Sequence, residues 1–192
     1  SANSSSAVLS KNLRGCRGLG VYFGLQSFIF MPVFGLNNAM VPIIAFNFGA
    51  RHKRRILSTI KLSFLYALGV MCLGVLIFHL VPTRLLMFFN ASANMQAVGV
   101  PALRTISWHF PAAAVCIVAI SVFQALGHGV ESLVLSFARQ ILVLLPVAWL
   151  LSLTGQVALI WWAFPIAEVA ALSLAVLFSR RVYVQQIESL PE

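Results

Sequence analysis

The sequence predicts an all-α integral membrane protein with five transmembrane helices. Of its 192 residues, 60% are hydrophobic and only 9% are charged, whereas soluble domains carry roughly 45–50% apolar and about 25% charged residues. So few charged side chains cannot cover the surface of a water-soluble fold. The apolar residues also form continuous runs, each long enough for a helix to cross a hydrocarbon core of about 30 Å. A transmembrane barrel would instead show alternating segments of about ten residues.

Turn and breaker residues separate five such runs. The first run ends before a basic cluster at residues 51–55, the second ends at Pro82, and the third ends at the turn Gly127-His128-Gly129. We expect residues 1–20, which are Ser-rich and lack apolar periodicity, to form a disordered lead-in, and residues 182–192 to form a polar tail. The predicted helices lie at about residues 21–48, 56–81, 100–126, 132–153 and 157–178.

The positions of the basic residues predict the orientation in the membrane. Cytoplasmic loops of membrane proteins carry an excess of Lys and Arg, and the 51–55 cluster together with Arg180-Arg181 outnumbers the opposite side, which has Arg84 and Arg104. We therefore expect the 51–55 loop and the C-terminus to be cytoplasmic. Because the net charge of +9 is concentrated at the ends of apolar runs, the lipid bilayer is the expected partner and nucleic acid is not.

Two charged residues lie inside the predicted spans. Glu168 is the only carboxylate deep in a run, and Arg139 lies at a similar depth in the run before it. An unpaired charge at mid-bilayer costs about 2.5–3.5 kcal/mol on insertion scales, so the two residues are expected to form an ion pair between neighbouring antiparallel helices. A proton or cation site at Glu168, or a position at the lipid interface, is the alternative.

Four residues of the first run recur at helical spacing. Gln26, Phe30, Phe34 and Asn37 fall on one face of a helix, and amide and aromatic groups on one face suit a cavity for flat, lipophilic cations. Ordinary packing between helices is the alternative. Three prolines inside the runs are candidate helix kinks, or else static bends: Pro32, Pro42 and Pro111.

The sequence lacks the residues that most catalytic and metal sites need. It has no Asp, and its four acidic residues are scattered glutamates. The three cysteines and four histidines show no spacing typical of a metal site, and His79 and His109 are expected at the membrane interface. We therefore expect no metal, no cofactor and no enzymatic activity.

One part of the chain resembles a known transporter family. The order Met31-Pro32, Asn37-Asn38, Pro42, Asn47 and Gly49-Ala50, followed by the basic loop, resembles the eighth helix and following cytoplasmic loop of multidrug and toxic compound extrusion (MATE) transporters. The sequence Gln124-Ala-Leu-Gly127 adds to this resemblance. It runs from about residue 20 to residue 181 and covers helices eight to twelve of twelve.

The resemblance implies a fold and a function. It implies most of one six-helix bundle of a two-lobe transporter in the cell membrane. Helix seven and the N-terminal lobe are missing from this chain, and the N-terminal lobe is its expected partner. It also implies an antiporter that exports organic cations or drugs in exchange for H⁺ or Na⁺, expected to be inactive as this fragment alone. The run at residues 100–126 lacks the carboxylate of one family branch, which favours branches with the coupling carboxylate in the other lobe. A lobe of a related polysaccharide or lipid flippase, or a non-transport membrane scaffold, is the alternative.

Overall fold

The computed structural model shows a bundle of helices. It describes residues 2–88, 93–143, 145–147, 149 and 162–190, and these contain no β-strand. Two of the helices continue into π-helical turns, Gly129–Phe137 through Ala138–Val143 and Ala163–Val182 through Tyr183–Ile187. The helices are α1 (Ala2–Gly49), α2 (Lys53–Leu80), α3 (Pro82–Phe88), α4 (Ala93–Ser107), α5 (Phe110–Ala125), α6 (Gly129–Phe137) and α7 (Ala163–Val182).

The prediction of an all-helical membrane fold is confirmed. Among the described residues, three segments are long and apolar enough to cross a membrane: Gly24–Gly49, Lys53–Leu80 and Ala163–Ile187. A fourth span results if the bent pair formed by α4 and α5 is counted as one. The predicted run at 132–153 and the start of the run at 157–178 lie partly outside the described residues, so the count of five spans stays a prediction.

The first helix differs from the prediction. Helix α1 begins at Ala2 instead of Val21, so residues 2–20 continue the helix instead of forming a disordered lead-in. The first proline of the chain is Pro32, and the glycines before it each cost a helix only about 1 kcal/mol relative to alanine. No residue in this segment therefore stops the helix.

The third predicted run is divided into two helices. Segments Gly99–Ser107 and Phe110–Ala125 meet at an angle of 47°. Pro111 lies in the first turn of α5, where its ring would clash with the carbonyl of residue 107 if the helix were continuous. The run at 100–126 is therefore a broken helix, with Trp108 and His109 at the break.

Helix α5 lies at the centre of the bundle. It packs against α1, α2, α6 and α7, and small buried residues such as Ala113, Ala114 and Ala119 allow the neighbouring backbones to approach closely. The ring pairs His109–Phe164 and Phe123–Phe178 have centroids 5.9 and 6.4 Å apart. Because these pairs lie at the two ends of α5 and follow the same order on α7, the two helices run parallel.

The predicted turn at residues 127–129 is present between α5 and α6. Gly127 has a φ of 83°, its N–H donates to the Gln124 carbonyl, and the His128 N–H donates to the Phe123 carbonyl over 2.8 Å. These bonds form a Schellman motif, which favours glycine at the left-handed position. The turn closes with a contact of 3.0 Å between His128 Nδ1 and Glu131 Oε1.

Candidate functional site

The structure brings Arg139 and Glu168 together. Arg139 lies in the π-helical continuation of α6 and Glu168 lies in the second turn of α7. Arg139 Nε is 2.8 Å from Glu168 Oε1 and donates a hydrogen bond of 2.9 Å to Oε2. Only 4% of Glu168 is exposed, so the guanidinium neutralises a carboxylate that is shielded from its surroundings.

Small side chains surround this ion pair. The Cys116 thiol of α5 lies against the Glu168 carboxylate, and Ala167 and Ala171 of α7 are fully buried beside it. Cys116 is a free thiol. Because the pair is neutral as a whole and enclosed by three elements of the bundle, the geometry supports a structural tie between α6 and α7.

His109 is a buried polar residue, and its predicted position is wrong. Instead of lying at the membrane interface, it sits at the break between α4 and α5 and is only 3% exposed. Its Nδ1 donates a hydrogen bond to the Ile106 carbonyl. Since a carbonyl can only accept, Nδ1 carries the proton and Nε2 is left as an acceptor, which lies 3.5 Å from the Gln26 amide nitrogen of α1.

Aromatic rings enclose the His109 imidazole. The Phe110 ring is 5.0 Å away between centroids, the Phe164 ring is 5.9 Å away and the Phe30 ring is 6.2 Å away. The cluster therefore joins α1, α5 and α7 where the central helix bends. The signal that could have revealed it is Pro111, because a break two residues before that proline places His109 in the middle of the apolar run instead of at its edge.

The four candidate residues of α1 do not share one environment. Phe30 and Asn37 are 5% and 6% exposed, Gln26 is half-buried, and Phe34 is 52% exposed. The buried positions of α1 recur at residues 30, 33, 37, 40 and 44. At about 100° per residue, Phe34 lies roughly 90° around the helix from the centre of that face. The structure therefore separates a packed set, Phe30 and Asn37, from Phe34 on the open flank.

The candidate kink prolines occupy two kinds of position. Pro32 and Pro42 lie inside α1, which continues through both, whereas Pro111 lies next to the 47° bend. The role of Pro32 and Pro42 as hinges stays a prediction. Within the part of the chain that the structure describes, no group of three or more His, Cys, Asp or Glu residues could hold a metal ion.

Comparison with known proteins decides the family. The family model described as MatE matches residues 17–150, which is well over half of the chain. The chain belongs to the MATE family. Members of this family are membrane transporters, so the bundle described above is part of a transporter fold. The search of curated proteins gave no match.

Solved MATE structures share this fold. The MATE multidrug transporter DinF-BH is 31% identical, with 87% of this chain and 37% of that chain covered at a TM-score of 0.78. The outward-facing conformation of a multidrug resistance MATE family transporter of the MOP superfamily is 17% identical, with 92% and 40% covered at a TM-score of 0.84. A MOP superfamily transporter from Pyrococcus furiosus is 16% identical, with 92% and 40% covered at a TM-score of 0.83. The chain thus spans about two fifths of the transporters it matches.

Proposed function

We propose that the chain forms most of the C-terminal lobe of a multidrug efflux antiporter. The observation that carries this proposal is the 31% identity to a MATE multidrug transporter over 87% of the chain, together with the family match. The proposed transporter exports organic cations or drugs from the cell in exchange for H⁺ or Na⁺. It lies in the cell membrane with the 51–55 loop and the C-terminus in the cytoplasm, as the distribution of Lys and Arg predicts.

Export requires a second lobe. Alternating access depends on two helix bundles that rock around a shared site near the middle of the membrane, and this chain covers only about two fifths of the transporters it matches. The partner is therefore the N-terminal lobe of a MATE transporter. Without that lobe, the open flank of α1 would face lipid instead of a transport cavity.

The ion pair between Arg139 and Glu168 bears on which carboxylate couples ion flow to transport. A carboxylate that couples transport must exchange its proton or cation during the cycle, whereas Glu168 is 4% exposed and held by Arg139. We therefore assign the coupling carboxylate to the N-terminal lobe and a structural role to Glu168. The flank of α1 that carries Phe34, whose ring centroid is 6.2 Å from that of Phe30, is the surface we assign to the substrate cavity.

Drug resistance in an efflux-deficient bacterial host tests this function. The chain is expressed alone and together with the N-terminal lobe of DinF-BH, and growth is measured against a series of toxic organic cations. We expect no protection from the chain alone and protection from the pair. Protection by the chain alone, or no protection by a pair that assembles in the membrane, contradicts the proposal.

A further inference from the structure

A cavity with a basic wall lies where α1 meets α2 at one end of the bundle. Its volume is about 590 Å³, and its wall includes Asn47 of α1 and the consecutive residues Lys53, Arg54 and Arg55 at the start of α2. We call it the basic cavity. Both helices are long and apolar enough to cross a membrane, so the cavity lies at the level of the lipid headgroups.

The cationic side chains of the basic cavity lack acidic partners among the described residues. Lys53 Nζ donates to the backbone carbonyl of Glu188 over 3.1 Å, which leaves its charge uncompensated. Arg54 and Arg55 are exposed and belong to none of the ion pairs in the described part of the chain. The wall of the cavity therefore offers positive charge to an anion.

Two further features of the wall have unused hydrogen-bonding capacity. Asn47 is 7% exposed, and its Nδ2 donates to the Ile43 carbonyl, but its Oδ1 has no hydrogen-bond partner among the described residues. The first turn of α2 contains no acidic residue, and His52 makes no side-chain capping bond to it. The free N–H groups of a helix N-terminus favour a phosphate or another anion.

We propose that the basic cavity binds the phosphate headgroup of an anionic phospholipid. The cations and the open N-terminus of α2 match the phosphate, and the Asn47 Oδ1 can accept a hydrogen bond from a headgroup hydroxyl. Apolar side chains at the same end of α1 match the acyl chains, because Ile43 on the cavity wall is 48% exposed and Phe46 beside it is 75% exposed. A free phosphate would meet only the polar half of this surface.

Native mass spectrometry of the purified chain in detergent tests the site. Phosphatidylglycerol and phosphatidylcholine with the same acyl chains are titrated separately and in competition, and the fraction of lipid-bound chain is measured. We expect phosphatidylglycerol to reach at least fivefold higher occupancy. The double variant Arg54→Gln/Arg55→Gln is expected to lose most of this preference. The matched control is Arg180→Gln/Arg181→Gln, which removes two adjacent, exposed arginines outside the cavity wall and is expected to keep it.

Each other outcome contradicts the proposal. Equal binding of the two lipids by the unmutated chain overturns the proposal. This comparison uses no variant, so it is decisive even where a variant does not fold. An equal loss of the preference for phosphatidylglycerol in both double variants shows that the lipid is attracted to basic residues in general and not to a site in the basic cavity. Displacement of phosphatidylglycerol by inorganic phosphate at millimolar concentration would assign the basic cavity to a free anion instead of a lipid.

Discussion

Arg139 Nε lies within 2.9 Å of both carboxylate oxygens of Glu168, deep in the contact between α6 and α7. Each of these residues is costly to bury alone, and removing one partner of a buried ion pair costs about 3–5 kcal/mol because an uncompensated charge remains. The pair therefore stabilises the contact between the two helices, and a substitution of either residue alone is expected to destabilise the protein.

Substitution of this pair should be strongly non-additive. Glu168→Gln and Arg139→Gln should each lower the yield of folded protein, whereas the double variant should recover much of it. The measurement is monodisperse yield by size-exclusion chromatography, with Glu188→Gln as the control because Glu188 is exposed. In the transporter assembled with the N-terminal lobe, the double variant should retain export. If Glu168→Gln folds normally and abolishes export while Arg139→Gln has little effect, Glu168 is the coupling carboxylate.

The predicted topology places residue 52 inside the cell and residue 92 outside. Variants with a single cysteine, His52→Cys or Ser92→Cys, are made after the native cysteines are replaced, and whole cells are treated with a membrane-impermeant thiol reagent. Position 92 should react in intact cells, and position 52 should react only after permeabilisation, because loops rich in Lys and Arg are usually retained in the cytoplasm. The reverse pattern of labelling would refute this orientation.

Two glycines of α2 should respond differently to the same substitution. A Cβ on Gly74 would lie 2.6 Å from Ile29 Cγ2 and 3.3 Å from Phe110 Cδ2, whereas a Cβ on Gly69 meets no atom within 4 Å. Gly74→Ala should therefore destabilise the bundle by about 1–3 kcal/mol through overpacking. Gly69→Ala should be neutral or stabilising by up to about 1 kcal/mol. Unfolding of the purified chain in detergent compares the two, and equal stability would show that α1, α2 and α5 do not pack as described.

The open flank of α1 should affect substrate binding. In the assembled transporter, Phe34→Ala should weaken binding of aromatic cations by about 0.5–1 kcal/mol through loss of a cation–π contact. Phe28→Ala is the control, since Phe28 is 71% exposed and lies about 120° around the helix from Phe34 at about 100° per residue. Titration with a fluorescent cationic substrate measures the affinity. An equal effect of both variants, or none of either, would remove Phe34 from the substrate cavity.

The sequence was most informative where a single physical requirement acts locally. Continuous apolar runs predicted the all-helical membrane fold, the Gly127 turn followed from the conformational freedom of glycine, and the cost of buried charge led to the juxtaposition of Arg139 with Glu168. In each case the physical requirement follows from the residue types alone, so it can be predicted without knowledge of the fold.

Other features depend on tertiary contacts. The break at His109 is not visible in the hydropathy, because the mean hydropathy of an apolar run changes little when it contains one polar residue. The signal in the sequence is Pro111, because of its effect on the backbone. The difference in exposure between Phe34 and Phe30 depends on where α2 and α5 lie around α1, which helical spacing does not specify. The helix through residues 2–20 is not evident from a Ser-rich segment without apolar periodicity, although no residue there prevents a helix.

Export driven by an ion gradient tests the central claim, that this bundle works as one lobe of a coupled exporter. The assay uses inverted membrane vesicles that contain the chain together with an N-terminal MATE lobe. A fluorescent organic cation is added to the external solution, and a proton or sodium gradient across the membrane is imposed and then collapsed. We predict uptake that follows the gradient, stops when it is collapsed, and is absent from vesicles with either lobe alone. Uptake that is independent of both gradients, or uptake by vesicles that contain this chain alone, would contradict the account.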